Sequence, residues 1–121
     1  MENSKGTILI VDDNTNNLKV LAGVLKENLY DFRMAKSGQL ALNILEKTTP
    51  DLILLDIQMP EMDGFETCRR IKANEENVKI PIIFLTANTD SESIAKAFAS
   101  GGVDYVTKPF NSNELLARIY T

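Results

Sequence analysis

Acidic, hydroxyl and ammonium side chains stand just past the ends of successive apolar runs: Asp12-Asp13, Asp56, Thr86 and Lys108-Pro109. Polar residues recurring at such places are hard to explain as packing. Brought together, they form an acidic pocket with one hydroxyl and one ammonium group, a set suited to a divalent cation and to phosphoryl transfer onto a carboxylate. Carboxylates a few ångströms apart repel one another strongly unless a cation joins them. Mg²⁺ fits that role, being hard, oxygen-seeking and satisfied by one or two carboxylates, waters and a phosphoryl oxygen. Calcium fits less well, since the twelve-residue calcium-loop pattern is missing. Asp56 closes the most hydrophobic run, the position with the firmest backing. Its carboxylate can attack phosphorus in line, with Lys108 and the metal offsetting charge and Thr86 donating its hydroxyl to a phosphoryl oxygen. Ala87 is small enough to leave access open, and the Gln58 carbonyl is within reach as a neutral metal ligand.

Singly, these residues are ordinary. An Asp after a strand is usually a turn residue or helix cap, as Asp13 or Asp63 could be, and Thr86 or Lys108 alone says little. The signal is their conjunction at four strand ends. Asp104, Glu61 and Glu66 read as surface or capping charges, and Phe32, Phe84 and Phe98 as core.

The elements that must position these groups are readable in order. Thr7–Val11 reads as a strand apolar enough to be covered on both faces. Leu18, Leu21 and Leu25 mark a helix over 15–27, and 30–35 a weaker strand. Ser37 caps a second helix carrying Leu40, Ile44 and Leu45. A third strand over 51–55 stops at Asp56, and a loop follows. Asp63 and Glu66 form a capping box for a helix with Phe65, Cys68 and Ile71 on one side. Pro81 opens the fourth strand, and Thr89 with Glu92 repeats the box ahead of Ile94, Ala97 and Phe98. Residues 103–107 form a fifth strand, and Asn111 with Glu114 caps a last helix. The alternation predicts a doubly wound α/β fold, (βα)₅, with a mostly parallel five-stranded sheet and helices on both faces. In such sheets ligands sit beyond the carboxyl ends of the strands, where the winding reverses.

Composition narrows the chemistry. With 121 residues this is one domain, and the short final helix leaves room for a longer natural chain. Seventeen acidic against thirteen basic residues give a net charge of -4, which weighs against a nucleic-acid surface on this domain. The lack of histidine removes His-based acid–base catalysis and His-containing metal sites. Cys68, the single cysteine, excludes an intrachain disulfide and reads as a buried thiol rather than a redox nucleophile. No apolar stretch reaches membrane-spanning length and the Asn3-Ser4-Lys5 start is unlike a signal peptide, so a cytoplasmic location is the default expectation.

The segments Ile8-Leu9-Ile10-Val11-Asp12-Asp13, Leu54-Leu55-Asp56-Ile57-Gln58-Met59-Pro60, Met62-Asp63-Gly64, Leu85-Thr86-Ala87 and Tyr105-Val106-Thr107-Lys108-Pro109-Phe110 are highly specific as a set. Together the chain resembles the receiver domain of bacterial two-component response regulators over essentially its whole length, 1–121. The resemblance implies a flavodoxin-like sheet with order 2-1-3-4-5, the order of a chemotaxis member of the family. It implies Asp56 as phospho-acceptor from a phosphohistidine on a sensor histidine kinase or histidine phosphotransfer protein. Asp13, Asp56 and the Gln58 carbonyl become Mg²⁺ ligands, Asp12 holds a metal-bound water, and Thr86 and Lys108 contact the phosphoryl group. It also implies a cis peptide between Lys108 and Pro109, and it makes Tyr105 an aromatic that turns inward when Thr86 shifts. Tyr105 read from its run alone is equally half-buried sheet packing. Asn14 is a common variant, while Gln58 and Asn88 tune phosphate lifetime.

The expected function is a phosphorylation-dependent signalling switch that catalyses its own phosphorylation and dephosphorylation but is chiefly regulatory. An output domain or downstream protein would read it, and a phosphorylation-dependent homodimer through the last two helices stays open. Two alternatives fit less well. A haloacid-dehalogenase-type phosphatase needs a second Asp where Gln58 stands, and a flavin-binding module needs a glycine loop where acidic Asp12-Asp13 would repel flavin phosphate.

Overall fold

A computed structural model of the chain describes residues 5–87 and 90–120, the side chain of Tyr120 excepted. Five strands, β1 (Thr7–Val11), β2 (Asp31–Ala35), β3 (Leu52–Asp56), β4 (Ile82–Thr86) and β5 (Asp104–Thr107), alternate with α1 (Thr15–Glu27), α2 (Gly38–Leu45), α3 (Gly64–Lys72), α4 (Ser91–Ala99) and α5 (Ser112–Tyr120). The strands form one parallel sheet of order β2-β1-β3-β4-β5. The winding therefore reverses between β1 and β3, whose registers run Ile8 against Leu52 to Val11 against Leu55.

The central strands are continuous apolar runs because both of their faces are covered. Alternate side chains serve separate cores. Leu9, Val11, Ile53, Leu55, Ile82 and Phe84 pack with α2, α3 and Ala97 of α4. Ile8, Ile10, Leu54, Ile83 and Leu85 pack with Leu18, Leu21 and Leu25 of α1 and Leu115 of α5. Every residue of β3 and β4 is buried, so the first polar groups they meet lie at their carboxyl ends.

Helix starts follow their caps. Asn14, Ser37, Asp63 and Asp90 each accept a hydrogen bond from the backbone N–H three residues on. Asn111 accepts from the N–H groups of Asn113 and Glu114. Two of the expected boxes differ. Glu66 turns away from its cap to pair with Arg69 and Arg70, and α4 is capped by Asp90, while Thr89 lies outside the described residues.

Two apolar side chains expected inside are not there. Phe98 is 46% exposed because α4 turns Ala97 to the sheet and leaves the next residue outward, its ring edge-on to Tyr105. Leu40 is 48% exposed, since α2 buries the Gly38, Ala41 and Leu45 stripe. Phe84 is fully buried and Phe32 half-buried. Tyr30 and Val103 lie just outside β2 and β5.

Candidate phosphoryl-acceptor and metal site

Backbone pairing carries the functional residues to one edge. Asp12 follows β1 and its N–H donates to the Ala35 carbonyl, Asp56 ends β3 opposite Leu85, and Thr86 ends β4 opposite Thr107. The Lys108 N–H donates to the Thr86 carbonyl at 2.9 Å, which fixes the lysine just past β5. The Lys108–Pro109 peptide is cis.

Asp12, Asp13 and Asp56 each bring a carboxylate oxygen to within 4.8 Å of the others. Asp12 and Asp56 are buried and Asp13 is exposed, so the cluster opens to solvent on the Asp13 side. The Lys108 ammonium donates to Asp56 Oδ1 at 2.8 Å and lies 3.3 Å from Asp12 Oδ2. Asp12 Oδ1 accepts the Asn14 N–H at 2.9 Å, and its Oδ2 accepts from the Asn17 amide at 3.2 Å. Thr86 is 6% exposed, and the Gln58 side chain is exposed. Asp13, Gln58 and Thr86 share a cavity of about 550 Å³ with Met59, Phe65 and Ser93.

The electrostatics reflect three carboxylates facing one ammonium. Burial pushes the Asp56 carboxyl above its ordinary value; the Lys108 hydrogen bond works against this, and the Asp12 and Asp13 charges add to it. Burial alone would lower Lys108, but the hydrogen bond and charge of Asp56, with Asp12, outweigh it and hold the ammonium above its usual range. An isolated ion pair would pull its acid down while raising its base. Here both groups hold protons more firmly: Asp56 chiefly because it is buried, with the Asp12 and Asp13 charges adding to it, and Lys108 because the acids around it outweigh its burial. Such a site favours an added cation, and its donors are hard oxygens, which fits Mg²⁺.

Comparison with known proteins identifies the family. The model for the response regulator receiver domain matches residues 8–120. The chain belongs to that family. This receiver domain is thus a phosphorylation-dependent signalling switch. It is 43% identical, over 118 residues, to a probable cyclic di-GMP phosphodiesterase of Vibrio cholerae, covering 98% of this chain and 26% of that protein. Chemotaxis protein CheY4 of Vibrio cholerae superposes with a TM-score of 0.91 at 30% identity, covering 94% of this chain and 95% of that one. The receiver domain of sensor histidine kinase PA1611 from Pseudomonas aeruginosa, described with a magnesium ion coordinated in the active site cleft, superposes at 0.87 with 33% identity, covering 94% and 93%. The chain spans between about a quarter and a half of the curated relatives it matches.

The sheet edge brings together Asp12, Asp13, Asp56 and Lys108 and sets Gln58 and Thr86 on the adjoining cavity. Tyr105 is half-buried: it packs against the core, and its ring lies 6.5 Å from that of Phe98. Asn88 lies outside the described residues. Sequence reasoning passed over Asn17, whose amide reaches Asp12, and the cavity residues Phe65 and Ser93. An amide at the third helical residue, where capping boxes place a side chain that folds back, was the available signal for Asn17. Cys68 is fully buried, as expected; its thiol donates to the Ser100 carbonyl at 3.2 Å, and burial pushes it up to about 11. Asp104 pairs with Arg118 at 3.5 Å, the expected surface role.

Proposed function

We propose that Asp56 of this receiver domain accepts a phosphoryl group from a phosphohistidine of a sensor histidine kinase or histidine phosphotransfer protein. The observation that carries the reading is Asp56 itself: a buried carboxylate at a rigid strand end, hydrogen-bonded to Lys108 and beside two further acids. A carboxylate oxygen forms the new bond to phosphorus as the phosphorus–nitrogen bond breaks, its electron pair leaving on the imidazole nitrogen. Lys108 already lies 2.8 Å from Asp56 Oδ1 and can follow the charge onto the phosphoryl oxygens. The Thr86 hydroxyl donates to one of those oxygens.

Asp13, Asp56 and the Gln58 carbonyl would hold Mg²⁺, with Asp12 retaining a bound water. When bound, the ion neutralises charge on the incoming group. Water attack on the acyl phosphate returns the domain to its resting state, so its catalysis serves the switch. As Thr86 moves to the phosphate, Tyr105 turns inward from Phe98, and the surface of α4, β5 and α5 changes. The phosphate biases this equilibrium only through its different interaction with the two arrangements.

The domain acts in the cytoplasm as the receiver portion, 1–121, of a longer chain. An output domain or downstream protein reads the altered surface, and a phosphorylation-dependent homodimer is one form the output can take. Family membership supports these roles, and the net charge of -4 supports a domain that leaves nucleic acid to other parts of its protein. Among the described residues no helix is long and apolar enough to cross a membrane. Incubation with a phosphorylated histidine phosphotransfer domain and Mg²⁺ should label the wild type stoichiometrically and leave Asp56→Asn unlabelled. Equal labelling of both proteins would refute the assignment.

A further inference from the structure

Asp12 is 0% exposed, yet both its oxygens are engaged. Oδ1 holds the Asn14 N–H, and Oδ2 holds the Asn17 amide and faces Lys108. Asn17 is the third residue of α1, and its own N–H donates to the Asn14 side chain at 3.1 Å. In a capping box that position carries Glu or Gln, whose oxygen accepts the N–H of the cap residue. Here the cap residue's N–H is already given to Asp12. A side chain folding back from Asn17 therefore meets a carboxylate rather than a donor. A Glu there would add charge to a cluster that already has three carboxylates, whereas an amide NH₂ donates without changing the net charge.

We propose that Asn17 is a positioning residue for the acidic site. With the Asn14 N–H on one oxygen and the Asn17 amide on the other, the Asp12 carboxylate is held against rotation, and its Oδ2 stays turned toward Lys108. The first turn of α1 thereby holds the acid pair in the arrangement a divalent cation requires. The inference rests on the reading of the pocket as a Mg²⁺ site, and it adds a residue that touches neither cation nor phosphoryl group.

Calorimetric titration of the whole chain with Mg²⁺ alone tests it, using wild type, Asn17→Leu, Asn17→Ala, Asp12→Asn and the double variants. Each Asn17 substitution should weaken Mg²⁺ binding about tenfold, the loss typical of removing a partner behind a metal ligand. In the Asp12→Asn background the same substitutions should change the affinity less than about twofold, because the contact they remove is already altered. Thermal melting shows that each variant is folded, and if leucine fails to fold, alanine carries the comparison. Wild-type affinity in both Asn17 variants would overturn the proposal. So would an equal loss in both backgrounds, which marks a general loosening of α1. A wild type that binds no Mg²⁺ would overturn the pocket reading itself.

Discussion

Replacing Gly64 by Ala tests how tightly the start of α3 is locked to the strand end that carries Asp56. A Cβ at Gly64 would lie 2.2 Å from the Asp56 carbonyl oxygen and 2.7 Å from the Ile57 Cα. Both are backbone atoms, and the Gly64 N–H donates to the Ile57 carbonyl at 2.8 Å, so no side chain can swing away. Carbon contacts are favourable only near about 3.5–4.0 Å, so strand end and helix must separate by roughly 1 Å. Overpacking of that kind costs about 1–3 kcal/mol, and backbone against backbone belongs at the upper end. Alanine's better helix propensity returns at most about 1 kcal/mol, leaving a net loss of about 2 kcal/mol. The internal control is Gly23→Ala in mid-α1, where a Cβ would meet nothing within 4 Å. That variant should gain about 0.5–1 kcal/mol. Urea unfolding of both, with midpoint and slope fitted separately, reads the difference. The same chemical change should thus act with opposite sign at the two glycines. A Gly64→Ala protein as stable as wild type would refute the steric argument.

Other outcomes follow from the same geometry. Because the folded pKa of Asp56 is raised, the native state binds its proton more firmly than the unfolded chain does. The cost of its charge is present above the folded value and fades as pH falls through it toward the unfolded one. Asp56→Asn should therefore melt above wild type at pH 7, with the gain shrinking in acid; a pH-independent difference would contradict this. The Cys68 thiol, pushed up to about 11 from its ordinary 9.0, offers about a hundredfold less thiolate at pH 8 than an unfolded thiol. A disulfide reagent should modify it only after unfolding, and rapid labelling of native protein would disprove its burial. Leu54→Ala, at the centre of β3, should cost about 2–5 kcal/mol in urea unfolding, and a loss below 1 would mean that the core rearranges.

Much of the acidic edge is legible in the sequence, for a physical reason. A strand buried on both faces admits few polar residues, so the first one after each run marks where the sheet ends. Asp12, Asp56 and Thr86 announce themselves this way, and Lys108 does so more weakly after the mixed run of β5. The strand order was a different matter, since spacing alone leaves several windings and the family resemblance supplied it. What escaped depends on contacts between elements. Phe98 and Leu40 sit in helical apolar patterns, but which stripe is buried depends on how α4 and α2 pack. Phe65 and Ser93 become cavity residues only when α3 and α4 take their places around Thr86. Asn17 lies five residues from Asp12, and only the turn into α1 brings its amide back to the carboxylate.

The assignment of phosphoryl uptake to Asp56 alone can be tested chemically. Its most direct test treats the phosphorylated domain with borohydride, which converts an aspartyl phosphate to homoserine, and sequences the peptides by mass spectrometry. Homoserine should form at position 56, and only when Mg²⁺ was present during phosphorylation. Conversion at Asp12 or Asp13 instead, or at position 56 to the same extent without the metal, would contradict the assignment.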